Sequence, residues 1–305
     1  MINSFDSLLD AVLSTWSPTI SVAAAEDEYV LGALRKAVDI GVCSAIIVGS
    51  RSEIERISFE KGISLDGFTI IDVPDKAEAC KHAVLLAKEG KTQVVMKGLV
   101  DTSVYLRAVL DKEAGIREAP MLSHVSVFEA PTYENLITVS DVALNMYPDV
   151  DQKQTIIENS LVVARALEIE NPIVACVCAI EKLNPKMPPT VDATELQRRN
   201  AEGIISGCQV TGPLALDNAL FWEAAQHKGI TDPLAGRANI LLMPNIETGN
   251  VLYKSLVHLA KARNAGVVVG AKVPVILTSR SDLEDTKINS IALAIKIALM
   301  ERTQQ

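Results

Sequence analysis

The chain has 305 residues, 49% of them hydrophobic and 22% charged, with a formal net charge of −9 at pH 7. This length and composition admit two ordinary domains with a large buried core. The acidic balance argues against sequence-independent nucleic-acid binding, which needs Lys and Arg to neutralise phosphates. An anionic ligand therefore has to be held by a local cluster of donors.

Apolar runs of strand length alternate with helix-period segments along the chain. TISVAA (19–24), SAIIVG (44–49), FTIIDV (68–73), QVVMKG (93–98) and MLSHVSVF (121–128) read as strands. Between them, the segments 26–41, 52–62, 75–90 and 102–115 read as helices, each stopped by a glycine: Gly41, Gly62, Gly90 and Gly115. The second half continues with strand candidates LITVSD (136–141), NPIVACVCAI (171–180), GCQVTG (207–212) and NILLMP (239–244). Helices are expected over 151–170, 193–201 and 249–264, with a domain boundary near Pro131. This βαβα rhythm predicts an α/β protein with mostly parallel strands. A last strand over 273–278 and a last helix over 282–300 close the chain. That helix is apolar nearly all round, so it is either wholly internal or shared with a second subunit.

Five cysteines are present, with no CxxC. Cys176 and Cys178 lie two apart in an apolar run, so on a strand they face one way as small buried hydrophobes. Reduced structural thiols, no signal peptide and no apolar run near the ~20 residues of a membrane span together predict a cytoplasmic protein without a membrane partner. His124 reads as a core histidine; His82 and His227 read as helix-face residues.

Ligands of open parallel sheets bind beyond the carboxyl ends of the strands, and three such junctions hold polar residues. At the first, Lys97 and Gly98 end a strand; Asp101, Thr102 or Ser103 can cap the next helix, and Arg107 follows. A routine turn with a solvated Lys is the alternative. At the second, the strand ends at Pro244 and Thr248 can cap a helix starting near Gly249, with Asn245 and Asn250 as polar contacts. Lys254, His258 and Lys261 recur there at helical spacing, as a solvated face also would. The third is TSRSD, 278–282, inside a strongly hydrophobic segment. Ser281 and Glu284 fit a capping box, which places Ser279 and Arg280 at the strand's end beside a positive helix terminus. Arg280 suits bidentate phosphate binding, and Asp282 and Asp285 stand nearby. No GxGxxG, HExxH, GxSxG or zinc pattern occurs, and GVVVGAK (266–272) has the wrong spacing for a phosphate loop. From the residues alone, the chain reads as a two-domain α/β enzyme with a phosphate-bearing substrate.

The blocks VVMKGLVDTSVYLRAVL, MLSHVSVF, TGPLALDNA, LAGRANILLMPNIETGNVLYKSLVHLAKA and GAKVPVILTSRSD together resemble the phosphate acetyl/butyryltransferase family, above all its phosphate butyryltransferase branch. The resemblance implies two three-layer α/β/α domains with mostly parallel sheets and an interdomain cleft, as in isocitrate dehydrogenase. It places residues 1–130 with 271–305 in a discontinuous first domain and 131–270 in a second, within a homodimer or larger homo-oligomer. It implies reversible transfer of an acyl group, butanoyl by preference, between CoA and inorganic phosphate. In the reverse direction the CoA thiolate attacks the acyl phosphate directly. Acyl-CoA, CoA, phosphate and acyl phosphate are then substrates, and no metal or bound cofactor is required. By the same resemblance Ser279 and Arg280 match the family's active-site pair. Asp285 matches the base at a spacing one residue shorter than in the acetyltransferase branch, with Asp282 as rival. Arg107 matches an anion-binding arginine, joined by Lys97, Gly98 and Thr102, while Asn245, Gly249 and Asn250 are candidate CoA or phosphate contacts. A phosphate acetyltransferase, a hydroxyacid dehydrogenase and a non-catalytic CoA or acyl-phosphate sensor are the competing readings.

Overall fold

The computed structural model describes residues 1–13, 16–278 and 282–303. In chain order, α1 (Phe5–Val12), β1 (Thr19–Ala23), α2 (Glu28–Asp39), β2 (Ser44–Gly49), α3 (Arg51–Lys61) and β3 (Phe68–Asp72) come first. They lead into α4 (Lys76–Lys88), β4 (Val94–Lys97) and α5 (Thr102–Val109). Next are β5 (Ser123–Glu129), β6 (Ile137–Ser140), α6 (Val150–Ala166), β7 (Ile173–Val177), α7 (Pro188–Ala201) and β8 (Gln209–Leu214). After α8 (Leu216–Leu220), α9 (Trp222–His227) and β9 (Ile240–Leu242), α10 (Ile246–Lys254) passes into a π-helical turn, Ser255–Leu259. Finally come β10 (Arg263–Val269), β11 (Val275–Ile276) and α11 (Glu284–Thr303).

Contacts divide the chain into two compact units, residues 5–120 with 264–305, and residues 1–4 with 121–263. The expected divisions lay at 130/131 and 270/271; the observed ones fall ten and seven residues earlier. The reason for the first shift is β5, which pairs antiparallel with β6 from Val125↔Ser140 to Phe128↔Ile137 and so goes with the later residues.

In the unit containing residues 5–120, the strand order is β3-β2-β1-β4-β11-β10. The neighbours are parallel except β11 and β10. Aspartate side chains cap two of its helices: Asp27 accepts from Val30 N and Asp75 from Glu78 N, each at 2.9 Å. Gly62, in the left-handed region at φ 63°, ends α3 where a side chain would be strained. Two expectations fail here. Helix α5 stops at Val109 rather than running to Gly115, because the Asp111 carboxylate accepts from Glu113 N and Ala114 N and turns the chain early. The expected helix over 249–264 ends sooner too: α10 stops at Lys254 and its π-helical turn at Leu259, and the run from Arg263 to Val269 is strand β10, buried from Asn264 onward.

The final strand is two residues long, where 273–278 was expected; β11 pairs with Val95 and Met96 of β4 before the chain turns away. Helix α11 begins at Glu284 rather than Asp282, and Ser281 of the anticipated capping box lies outside the described residues. α11 packs on α1, α2, β4 and β11. The chain itself buries Ile291, Leu293, Ile295, Ile297 and Ala298. Much of the apolar character is therefore answered within the chain, while Ile288, Leu299 and Met300 stay partly exposed.

In the unit containing residues 121–263, the strand order is β5-β6-β9-β7-β8, parallel apart from β5 with β6. Alternation along β7 builds a core on each face. Ala175 and Val177 join Phe128, Val139, Leu241 and Tyr253. Val174, Cys176 and Cys178 join Ile156, Leu161, Leu196 and Leu242. Phe128 meets Tyr253 edge to face at 5.5 Å between centroids. Asp149 and Gln152 form a reciprocal capping box at the start of α6.

Candidate active site

The carboxyl ends of β1, β4 and β11 lie side by side. Lys97 ends β4 and is only 3% exposed. Its Nζ donates to the carbonyls of Gly98 at 3.1 Å and Val100 at 3.2 Å. Gly98 N donates to Ala23 O at 2.8 Å and Leu99 N to Ala24 O at 2.7 Å, sealing this loop against the end of β1. A Cβ on Gly98 would collide with the carbonyl oxygens of Ala23 and Ala24, so only glycine permits this approach. Thr102 opens α5 and Arg107 lies in its last turn; both are exposed. Of the four residues expected to meet phosphate here, two are buried in the strand–loop junction and two face outward on α5.

Glu26, just beyond β1, escaped the sequence reading. It is 8% exposed, its Oε1 accepts from Ser50 N at 2.6 Å, and among the described residues its Oε2 has no hydrogen-bond partner. Gly49 admits it: a Cβ there would lie 2.6 Å from Oε1. The signal was available as the acidic pair Glu26–Asp27 directly after the apolar run TISVAAA.

Ser279 and Arg280 lie outside the described residues. The chain re-enters at Asp282, 8% exposed, while Asp285 sits exposed in the first turn of α11. Two lysines missed in the sequence brace this turn. Lys36 Nζ meets Glu284 Oε1 at 2.7 Å, and that hydrogen bond holds its amine above the usual lysine range. Lys287 Nζ donates to Asp282 O at 2.6 Å. Burial pushes the Lys287 amine below its ordinary value, opposed by the charges of Asp27 and Asp282.

In the other unit, Asn245 rather than Thr248 caps α10. Its Oδ1 accepts from Thr248 N at 2.9 Å and from Thr248 Oγ1 at 2.8 Å, so the helix begins at Ile246 and not near Gly249. Gly249 lies against the Asp141 carbonyl, where a Cβ would collide. Asn250 is exposed, its Nδ2 3.4 Å from Val142 O. Asp141 organises the end of β6. Its Oδ1 accepts from Ala143 N and Leu144 N at 2.8 and 2.9 Å, and its Oδ2 from His124 N and Asn145 Nδ2 at 2.8 and 2.7 Å. His124 is buried, as a core histidine should be.

The thiols are ill suited to attack a substrate. All five are free, and burial pushes Cys43 up to about 12 and Cys80, Cys178 and Cys208 up to about 11, with Cys176 raised as well.

Helices alternating with mostly parallel strands, with polar residues grouped beyond the strands' carboxyl ends, define an α/β protein, a class in which ligands commonly bind at those ends. Residues 75–295 match the family model described as phosphate acetyl/butaryl transferase, and the chain belongs to that family. It is 48% identical over 298 residues to the phosphate butyryltransferase of Clostridium acetobutylicum, covering 98% of this chain and 99% of that one. It is 43% identical over 279 residues to the phosphate acetyltransferase of Thermotoga maritima, covering 92% and 95%. Among solved structures, a branched-chain phosphotransacylase from Enterococcus faecalis V583 superposes with a TM-score of 0.84 at 32% identity, covering 92% of this chain and 99% of that one.

Proposed function

We propose that this protein is an acyltransferase that moves a short acyl group, butanoyl by preference, reversibly between CoA and inorganic phosphate. The observation that carries this reading is the nearly end-to-end match to the clostridial phosphate butyryltransferase. The comparable match to a phosphate acetyltransferase keeps acetyl as the second substrate reading. CoA enters as a substrate, and no bound cofactor is needed for the step. A cytoplasmic homo-oligomer and a reading of the two compact units as two domains accompany this proposal.

In the acyl-phosphate-consuming direction, Asp285 accepts the proton of the CoA thiol. Its exposure supports that role over the buried Asp282, since a base must reach the proton it takes. The sulfur then attacks the acyl carbon, a C–S bond forms, and the C–O bond to phosphate breaks with its electron pair leaving on phosphate. Arg280 balances the charge gathering on phosphate, and Ser279 donates a hydrogen bond to the carbonyl oxygen. In reverse, a phosphate oxygen attacks the thioester, and the departing thiolate recovers its proton from Asp285. Lys97, Gly98, Thr102 and Arg107 complete the phosphate side of this proposal. Asn245, Gly249 and Asn250 are proposed contacts for CoA or phosphate.

The test is phosphate-dependent release of free thiol from acetyl-, propionyl-, butanoyl- and branched acyl-CoA. Release that requires phosphate and peaks at butanoyl is the expected result. A peak at acetyl would keep the chemistry and replace the substrate. Tight CoA binding without release would leave a sensor rather than an enzyme.

A further inference from the structure

Helix α10 and its π-helical turn have one face on the core and one at the surface. Tyr253 is buried, and Leu252, Leu256 and Val257 pack against the cluster that holds Phe128 and Val139. The other face repeats at i, i+4, i+7 and i+11, as Glu247, Val251, Lys254 and His258. Val251 is 65% exposed there, and Leu259, closing the π-helical turn, is 82% exposed. Asn250 turns its carboxamide to Val142 O and is not part of this stripe.

More exposed apolar surface stands at the other end of the helix. Ile246 N donates to Met146 O at 2.9 Å and the Tyr147 hydroxyl donates to Glu247, so the loop before α6 runs beside the first turn of α10. Met146 and Tyr147 are 67% and 71% exposed. A lone exposed apolar residue is ordinary, but four along one helix and its flanking loop mark an interaction surface.

The charges along the stripe are sorted by end. Glu247 stands at the start, and Lys254, His258 and Lys261 follow toward the finish. Lys254 lies 5.0 Å from the centre of the Tyr253 ring, and among the described residues it has no ion-pair partner. Two such faces laid antiparallel about a two-fold axis complement each other, as a contact between identical surfaces requires. With the axis beside Val251, Glu247 of each copy falls opposite Lys254 of the other. Leu259 then reaches the end of the second helix where Met146 and Tyr147 stand. The opposed helix dipoles favour the same arrangement, whereas parallel helices would set like charges side by side.

We propose that this face of α10, with Met146 and Tyr147 beside it, is where two copies of the chain meet. The proposal rests on the homo-oligomer reading given above and names its interface. A second copy is the fitting occupant because the sorted charges complement themselves.

Sedimentation velocity of the full-length protein tests it. Wild type is expected to form dimers, or an assembly built from them, at micromolar concentration. Val251→Asp, Glu247→Lys and Lys254→Glu should each weaken that association by about 10-fold or more. As surface substitutions they should leave the far-ultraviolet circular dichroism unchanged. Glu247→Lys combined with Lys254→Glu in one chain restores opposite charges across the axis and is expected to recover the dimer. An equimolar mixture of the two single charge variants should also dimerise. If Val251→Asp does not fold, the charge-swap series decides. A monomeric wild type overturns the interface and the homo-oligomer reading together. An assembly that survives the single variants, or a swap that recovers nothing, overturns the interface alone. A wild type that dimerises through α10 yet releases no thiol from butanoyl-CoA with phosphate would uphold the interface and sink the acyltransferase reading instead.

Discussion

Gly98 and Lys97 show how little freedom the end of β4 has. The glycine lets the loop's amides reach Ala23 O and Ala24 O, and the lysine amine then closes on the carbonyls of Gly98 and Val100. Both residues stood out in the sequence as a charge and a turn, but their burial did not. A lysine after an apolar strand reads as solvated, and only the fold over the Gly98 and Val100 carbonyls turns it inward. Gly98→Ala is expected to force backbone atoms apart, because the added Cβ meets main-chain oxygens rather than a movable side chain. Overpacking of this kind costs about 1–3 kcal/mol. Thermal unfolding should show a lower melting temperature and, because Lys97 is displaced with the loop, reduced turnover in the folded fraction. Wild-type stability would mean that the β1–β4 edge can open without penalty.

The helices meeting at the start of α11 set a second constraint, and it depends on pH. The folded-state value of Lys287 lies below its ordinary 10.5, with burial as the larger cause and the charges of Asp27 and Asp282 opposing it. Between the lowered value and 10.5 the unfolded chain binds more protons than the folded one, so stability rises with pH across that window. Below the window the lysine is charged in both states, and its full cost is present. Lys287→Met lacks this dependence. Its stability advantage over wild type, measured by urea unfolding, is expected to be largest near neutral pH and to shrink as pH climbs toward 10.5. The facing groups Asp27, Tyr29 and Asp282 are common to both proteins and largely cancel in the difference. A gap that stays constant with pH would contradict the buried, charged state of Lys287.

Across the whole chain, the elements most legible in the sequence were those whose signals were local. The runs TISVA, SAIIVG and FTIID are strands, and Asp27 and Asp75 cap helices near where the pattern expects. What escaped depends on which neighbour a segment pairs with. NAGVVV became β10 because β11 was there to pair with it, Val268 against Val275. β5 fell into the later unit because β6 binds its edge. At α10 the sequence pointed to Thr248 as the cap, but the Asn245 carboxamide takes both Thr248 donors and caps the helix instead. The candidate site was legible as polar residues after strands, whereas Glu26, Lys36 and Lys287 were not, because their meaning lies in burial and in contacts across the fold. Contacts far along the chain do govern folding of the unit that contains residues 5–120. It takes β10, β11 and α11 from the chain's last residues, and α11 covers α1 and α2. A chain ended at Arg263 should therefore leave β4 without β11 and the buried face of α2 bare. By amide hydrogen exchange, β1, β2 and β4 are expected to lose protection in that chain, while β7 and β8, which draw both faces of their core from residues 121–263, keep it. Retained protection in β1 and β4 would show that the first 120 residues hold their sheet without the returning segment. Loss in β7 and β8 as well would show that the two units unfold as one.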